Sequence, residues 1–311
     1  MRTGIWLVAL LCAPGMVWGQ PLPVAEGPVT AGIVEGQRIQ ARQMQDSLST
    51  LVDAVNELHR RTQELEGQLA DQAELQRQVE ALASRWIDTP EVHTIGAGGD
   101  FPNLNAAFEY LADKRLARAA EVRFEVRAGE HMHAEPVVID HPDAARVFIE
   151  GVGDRSVLRF ATGGMVVRDV RLGGLAGVVL RGPGAAAGLV GLEVDAGRTT
   201  AEDLTITDFD VGLLVQRGAQ FAGAEVSLQR HGSACARVAT QGHLQIGELV
   251  AQGCTDGLLV DNNSRADVGT VEISDVLTHG VKLTFGSTAT ISGGGLHPGP
   301  EQWSWSGHTG D

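Results

Sequence analysis

Leu204-Thr205-Ile206, Val226-Ser227-Leu228, Leu249-Val250-Ala251 and Val271-Glu272-Ile273 recur at steps of 22, 23 and 22 residues, and the reading of this stretch decides the fold. Two further runs keep the same beat between Asp203 and Gly293. One is Gly212-Leu213-Leu214-Val215, Cys235-Ala236-Arg237-Val238, Gly257-Leu258-Leu259-Val260 and Gly280-Val281-Lys282-Leu283; the other is marked by Phe221, Leu244, Ala266 and Ala289. Apolar residues alternate in twos, β-branched residues are frequent, and Gly, Asn, Asp and Ser separate the runs. A unit of this size cannot bury its apolar side alone, so copies must stack. The pattern predicts an all-β solenoid, a right-handed parallel β-helix with one rung per repeat and three sheets. Val215, Val238, Val260 and Leu283 should form one internal file. Leucine-rich repeats need a consensus that these rungs lack, and helical repeats need a longer unit with a 3.6-residue period.

Upstream, Met165 to Gly197 holds further apolar runs whose register is not fixed by spacing. Before them stand Val92-His93-Thr94-Ile95, the turn Gly96 to Phe101, and an expected short helix from Leu104 to Ala112 with Asn103 as its N-cap. The order Gly99-Asp100-Phe101, Leu104-Asn105-Ala106-Ala107-Phe108, Val126-Arg127-Ala128-Gly129-Glu130-His131, Glu135 to Ile139 and Ile149 to Asp154 resembles the opening of the pectin-lyase-like β-helix superfamily, as in pectinesterases and phage tail-spike proteins. The resemblance runs from about Val92 to Phe160, with generic rungs continuing to about Gly295. It implies that the short helix plugs the N-terminal end of a solenoid spanning residues 92–295. Such a plug covers strand edges and apolar interior that would otherwise be open.

The superfamily hosts lyases, esterases, glycosidases and binding proteins, so its fold alone assigns no activity. The Gln pair, Asp pair and Arg-Pro-Trp segment of pectinesterases are missing, as is the carboxylate cluster with which pectate lyases hold calcium. Thr255-Asp256-Gly257, followed one rung later by His279-Gly280 and Lys282, resembles fragments of the polygalacturonase signature without its Asp pair. Glycoside hydrolysis takes two carboxylates flanking the bond. Asp256, His279 and Lys282 are therefore the candidate catalytic residues of an alternative reading. The other reading of the column Asp210, Ser233, Thr255 and Thr278 is a turn ladder that satisfies backbone groups. His131 and His133, sharing a strand face with Glu135 nearby, have metal-ligand character, although histidines beside an ordinary turn account for them and no metal or cofactor is assigned. Arg168, Arg171 and Arg181 could line a sugar-binding face or be solvated edge charges.

The N-terminal third reads differently. Arg2, the apolar run Ile5 to Leu11 and small residues before Gln20 form an export signal over residues 1–19, too short to span a bilayer. Cys12 follows Leu11, where a lipobox wants a small residue. Residues 20–36, with three prolines, read as a linker. Residues 37–87 carry a heptad seam: Ala41, Leu48, Val55, Thr62 and Leu69 at a, and Met44, Leu51, Leu58, Leu65 and Gln72 at d. Leu75, Val79, Leu82 and Trp86 resume the seam after a three-residue slip. The segment predicts a long coiled-coil stalk, with a single amphipathic helix along the solenoid as the alternative. A coiled coil implies a homo-oligomer, and stalked β-helix proteins favour a trimer. Residues 296–311, with Trp303 and Trp305, form a tail or a cap on the last rung.

A formal net charge of -15 disfavours a nucleic-acid partner and an anionic membrane surface. Cys235 and Cys254, in a compartment that permits disulfides, fall about three residues and one rung apart in the expected register. That separation, roughly 10 Å at strand rise, predicts two unbridged thiols. Together these features describe an exported protein, periplasmic or at the cell surface, with no membrane span in its mature form. They favour a structural or binding module for a polysaccharide or cell-surface protein, with a polysaccharide-degrading enzyme as the alternative.

Overall fold

A computed structural model describes residues 28–185 and 188–296 of the 311-residue chain. The export signal, Cys12, residues 20–27 of the linker and the Trp-containing tail lie outside the described residues. The chain divides into two compact units, residues 1–77 and 78–311.

The first unit is dominated by α1 (Pro28–Ala83), which starts inside the segment expected to be linker. Pro28 suits a first helical turn, where its missing N–H has no intrahelical partner to lose. Every large apolar side chain given for α1, from Val34 to Leu82, is at least 51% exposed. The polar face carries Arg60 and Arg61 against Glu57, and Arg77 against Glu74. α1 stops before Trp86, which the heptad reading placed on the seam: Trp86–Ile87 is a short strand paired with Arg115–Leu116. Ile87 is buried there, a contact that the helical phase would not give it.

In the second unit the solenoid is present, and all strand pairing within it is parallel. A long sheet of nine strands and a short sheet of seven run its length, alongside the small two-stranded pair. The short sheet contributes one strand per rung. The expected internal file exists: Val215 pairs with Val238, Val238 with Val260 and Val260 with Leu283. Val194 and Val167 extend it towards the N-terminus. The first apolar run is equally aligned, Leu204 on Val226, Leu249 and Val271. Phe124, Phe160, Phe209 and Phe221 are the largest fully buried side chains.

The expectation of three sheets is corrected to two. The run marked by Phe221 and Leu244 shares one continuous strand with the next rung's first run, as in Gln220–Gln229 and His243–Gln252. Two consecutive exposed residues, Ala224-Glu225 and Gly247-Glu248, shift the in-out alternation by one without breaking the ladder. The sheet turns a corner there while its hydrogen bonds continue. Glycine fits the turn, because a Cβ at Gly269 would stand 2.5 Å from the Gly247 carbonyl oxygen.

Cys235 and Cys254 are joined in a disulfide, with Cα atoms 5.7 Å apart, which corrects the expectation of free thiols. Three residues of extended strand would have separated them, but Gly253 at φ 70° turns the chain at the corner between the sheets and carries Cys254 back over the rung below. Cys235 stands in a column held by Gly191, Gly212, Gly257 and Gly280 in the other rungs. A Cβ at Gly257 would meet the Gly280 carbonyl oxygen at 2.5 Å and Ile273 Cγ2 at 2.9 Å. Both cysteines are buried, so the cross-link fills the corner it closes.

The plug is α2 (Leu104–Leu111), which buries Leu104, Ala107 and Leu111. Asn103 Oδ1 accepts from the Ala106 N–H at 3.0 Å, as its N-cap role requires. Phe108 meets Phe124 of the first rungs edge-on, with ring centroids 5.5 Å apart.

Candidate functional site

Asp256 opens one short-sheet strand and His279 the next, so the ladder sets them side by side. The His279 Nδ1–H donates to Asp256 Oδ1 at 2.8 Å. The Thr278 hydroxyl lies 2.8 Å from both Asp256 Oδ1 and the Thr255 carbonyl oxygen, and its one proton serves one of them at a time. Lys282 Nζ stands 3.5 Å from Asp256 Oδ2. The three candidate residues thus form one cluster, at the edge where the last described rung begins.

Asp256 is 8% exposed. Burial pushes its carboxyl up, but the hydrogen bonds from His279 and Thr278 and the positive Lys282 outweigh that, and the group lies below the ordinary carboxylate range. It is therefore a carboxylate at neutral pH and cannot serve as a general acid. His279 is part-exposed with Nδ1 engaged, which leaves Nε2 as the ring nitrogen available to a molecule at the surface. The cluster offers a carboxylate-oriented imidazole beside an ammonium. It contains one carboxylate, so the double-carboxylate chemistry of glycoside hydrolysis is not assembled in it.

The column beneath behaves as a turn ladder. The Ser233 hydroxyl donates to the Asp210 carbonyl oxygen at 3.2 Å, and the Thr255 hydroxyl to that of Gly232 at 2.6 Å. These side chains close backbone groups of the preceding rung, while Asp256 and His279 stand beside the ladder.

The other sequence candidates separate in space. His133 is wholly buried, and its Nε2 accepts from the Leu104 N–H at 3.2 Å while Nδ1–H donates to the His131 carbonyl oxygen. It caps α2, and burial pushes its pKa down. His131 Nε2 bonds the Arg127 carbonyl oxygen at 2.7 Å. Both rings are occupied with backbone, and no group of three or more metal-ligating side chains occurs among the described residues. Arg181 is held by Glu130 at 2.5 Å, and Glu130 also takes Arg159 at 3.4 Å. Arg168 and Arg171 flank a separate concavity with Asp169 and Asp140.

Two arrangements escaped the sequence reading. Opposite charges one rung apart clamp the stack: Asp195 with Arg217, Asp208 with Arg230 and Asp261 with Arg237. Their spacing of 22 to 24 residues is the repeat itself, so the signal was available once the register was known. The second is His231, 3% exposed, whose Nδ1 accepts from the Phe209 N–H while Nε2–H donates to the Ile206 carbonyl oxygen. Burial pushes its pKa down to about 4. Nothing in the local sequence marks it as interior.

No described helix is long and apolar enough to cross a membrane. Comparisons with protein-family models, with curated proteins and with solved structures found no match to this chain.

Proposed function

We propose that the chain is an exported, stalked binding module: a homo-oligomer, preferably a trimer, joined through α1 as a coiled coil and presenting β-helices of the pectin-lyase-like kind to a polysaccharide or a cell-surface protein. The observation that carries this reading is the stripe on α1. Met44, Leu48, Leu51, Val55, Leu58, Leu65 and Leu69 follow the heptad, and each is more than half exposed. Burying a leucine or valine stabilises by roughly 1.5–3 kcal/mol, so a solvated stripe of this length favours self-association strongly. The seven-residue repeat selects a coiled-coil partner over a flat surface. Export is supported by the N-terminal sequence and by the buried disulfide, which belongs to an oxidising compartment.

Light scattering on the purified protein tests the stalk. A trimer mass that falls to a monomer on deletion of residues 28–83 is expected; a monomeric full chain at micromolar concentration would sink the proposal. A glycan array probed with the stalk-free solenoid then identifies the ligand class.

A second reading, a polysaccharide-degrading enzyme, is favoured by one observation, the convergence of Asp256, His279 and Lys282. Time-resolved product release from uronans and neutral polysaccharides decides it. Release that disappears in Asp256→Ala with the fold intact would establish an enzyme, and no release from any substrate removes this reading.

A further inference from the structure

A cleft lies between α2 and the first short-sheet strand, Val137–Ile139, and its geometry is independent of the stalk and of the Asp256 cluster. Val137–Ile139 ends the seven-stranded sheet and pairs on one side only. The Val137 N–H donates to the Gly164 carbonyl oxygen on that paired side. Strand alternation then directs the Val138 N–H and carbonyl to the opposite side, into the cleft. The neighbouring carbonyl on that side, of Pro136, is already taken by Asn105 Nδ2 at 3.1 Å. One N–H and one carbonyl are therefore open at Val138, whose side chain is 41% exposed.

The walls have a definite character. Phe108 and Ala112 of the plug region give an apolar side, and Glu109, Glu135 and Asp140 give three exposed carboxylates. None of the three has an ion-pair partner among the described residues, and no Lys or Arg lines the cleft. His141, also in the lining, has both ring nitrogens engaged, Nε2–H with the Lys114 carbonyl oxygen and Nδ1 with the Asp143 N–H.

We propose that this cleft is a docking site for an extended peptide carrying lysine or arginine, supplied by another protein and added as a strand to the free edge at Val138. Backbone pairing with an edge gives such a peptide its hold, and a side chain against Phe108 with basic residues opposite the carboxylates gives it selectivity. Two of the chain's own segments outside the described residues, 297–311 and 20–27, are poor occupants by charge, because they contain acidic residues and no Lys or Arg.

The test uses the full chain and a fluorescently labelled, end-blocked peptide of sequence Lys-Val-Thr-Val-Lys, read by anisotropy. Saturable binding is expected, at least tenfold weaker when the central amide is N-methylated, when glutamates replace the lysines, or in the triple variant Glu109→Gln, Glu135→Gln, Asp140→Asn. Circular dichroism confirms that the variant is folded. Equal binding of the N-methylated peptide overturns strand addition, equal binding by the triple variant overturns the basic partner, and no binding up to millimolar peptide overturns both. A chain ending at residue 296 that binds the peptide when the full chain does not would assign the cleft to the protein's own tail, against the proposal.

Discussion

The helix α1 and the solenoid are built from similar side chains put to opposite uses. Leu48, Leu58 and Leu69 of α1 face water, whereas Leu213, Leu244 and Leu258 of the rungs are wholly buried. The difference is one of period. A heptad places its apolar residues on a single stripe of a lone helix, which then has no interior of its own. A 22- or 23-residue repeat returns each apolar residue over its copy, so the chain supplies its own partner at every turn. The solenoid should therefore be indifferent to concentration, and the coiled coil proposed for α1 should depend on it.

The largest separation between the two regions is expected from a matched pair of substitutions. Val238→Asp places an unpaired charge in the wholly buried file and should abolish folding of the solenoid, seen as loss of its cooperative thermal transition. Leu58→Asp should leave that transition in place and instead dissociate the proposed oligomer in light scattering. A Leu58→Asp protein that keeps its mass would break the comparison on the stalk side.

Next in size is the cross-link. Removing it by Cys235→Ser with Cys254→Ser should lower solenoid stability by about 2–4 kcal/mol, the usual range for a loop of this kind. Unfolding in urea with and without reductant measures it. Iodoacetamide should label neither cysteine of the unreduced, denatured chain.

Acidification sharpens the picture further. His231 has a depressed folded pKa, so between the unfolded value near 6.5 and the folded value of about 4 the unfolded chain binds a proton that the native one refuses. Stability is full above that window and falls as pH drops through it, by roughly 3 kcal/mol at most on the conversion of one pKa unit to 1.36 kcal/mol. His133 acts in the same direction. Urea midpoints across pH 4 to 7 should flatten in His231→Gln. Asp256 adds a loss at lower pH, because its folded pKa lies below the ordinary value and protonation there breaks its bonds to His279 and Lys282.

The smallest effect belongs to the surface. Glu130→Gln removes the shared partner of Arg159 and Arg181, all three at least one-third exposed, and should change stability by no more than about 1 kcal/mol. A larger loss in differential scanning calorimetry would mean that ion pairs between rungs carry more of the stacking than their exposure implies.

How much of this was legible in the sequence follows from what repeats. The Val215 file, the Leu204 file and the Asp256 and His279 pairing are consequences of a fixed step, and counting residues found them. The two-sheet outcome depends on whether Gly247 and Glu248 interrupt a strand or bend it, and spacing alone does not distinguish those. The disulfide was missed for the same reason, since a corner at Gly253 shortens a path that counting treats as straight. His133 and His231 owe their surroundings to an adjoining helix and to neighbouring rungs. The local sequence of His133 pointed to a surface turn or a metal ligand, and that of His231 gave no signal.

The parallel ladder also makes the solenoid a graduated rod. Each rung bonds only those above and below, so excising one whole repeat, such as residues 234–255, would leave Val211 to meet Asp256 through the same kind of ladder that joins it to Ala234. The outer columns would shorten by one strand spacing, about 4.8 Å, with the files inside still continuous. Reach along the axis can therefore be set by gain or loss of single turns, without redesign of what any turn contains.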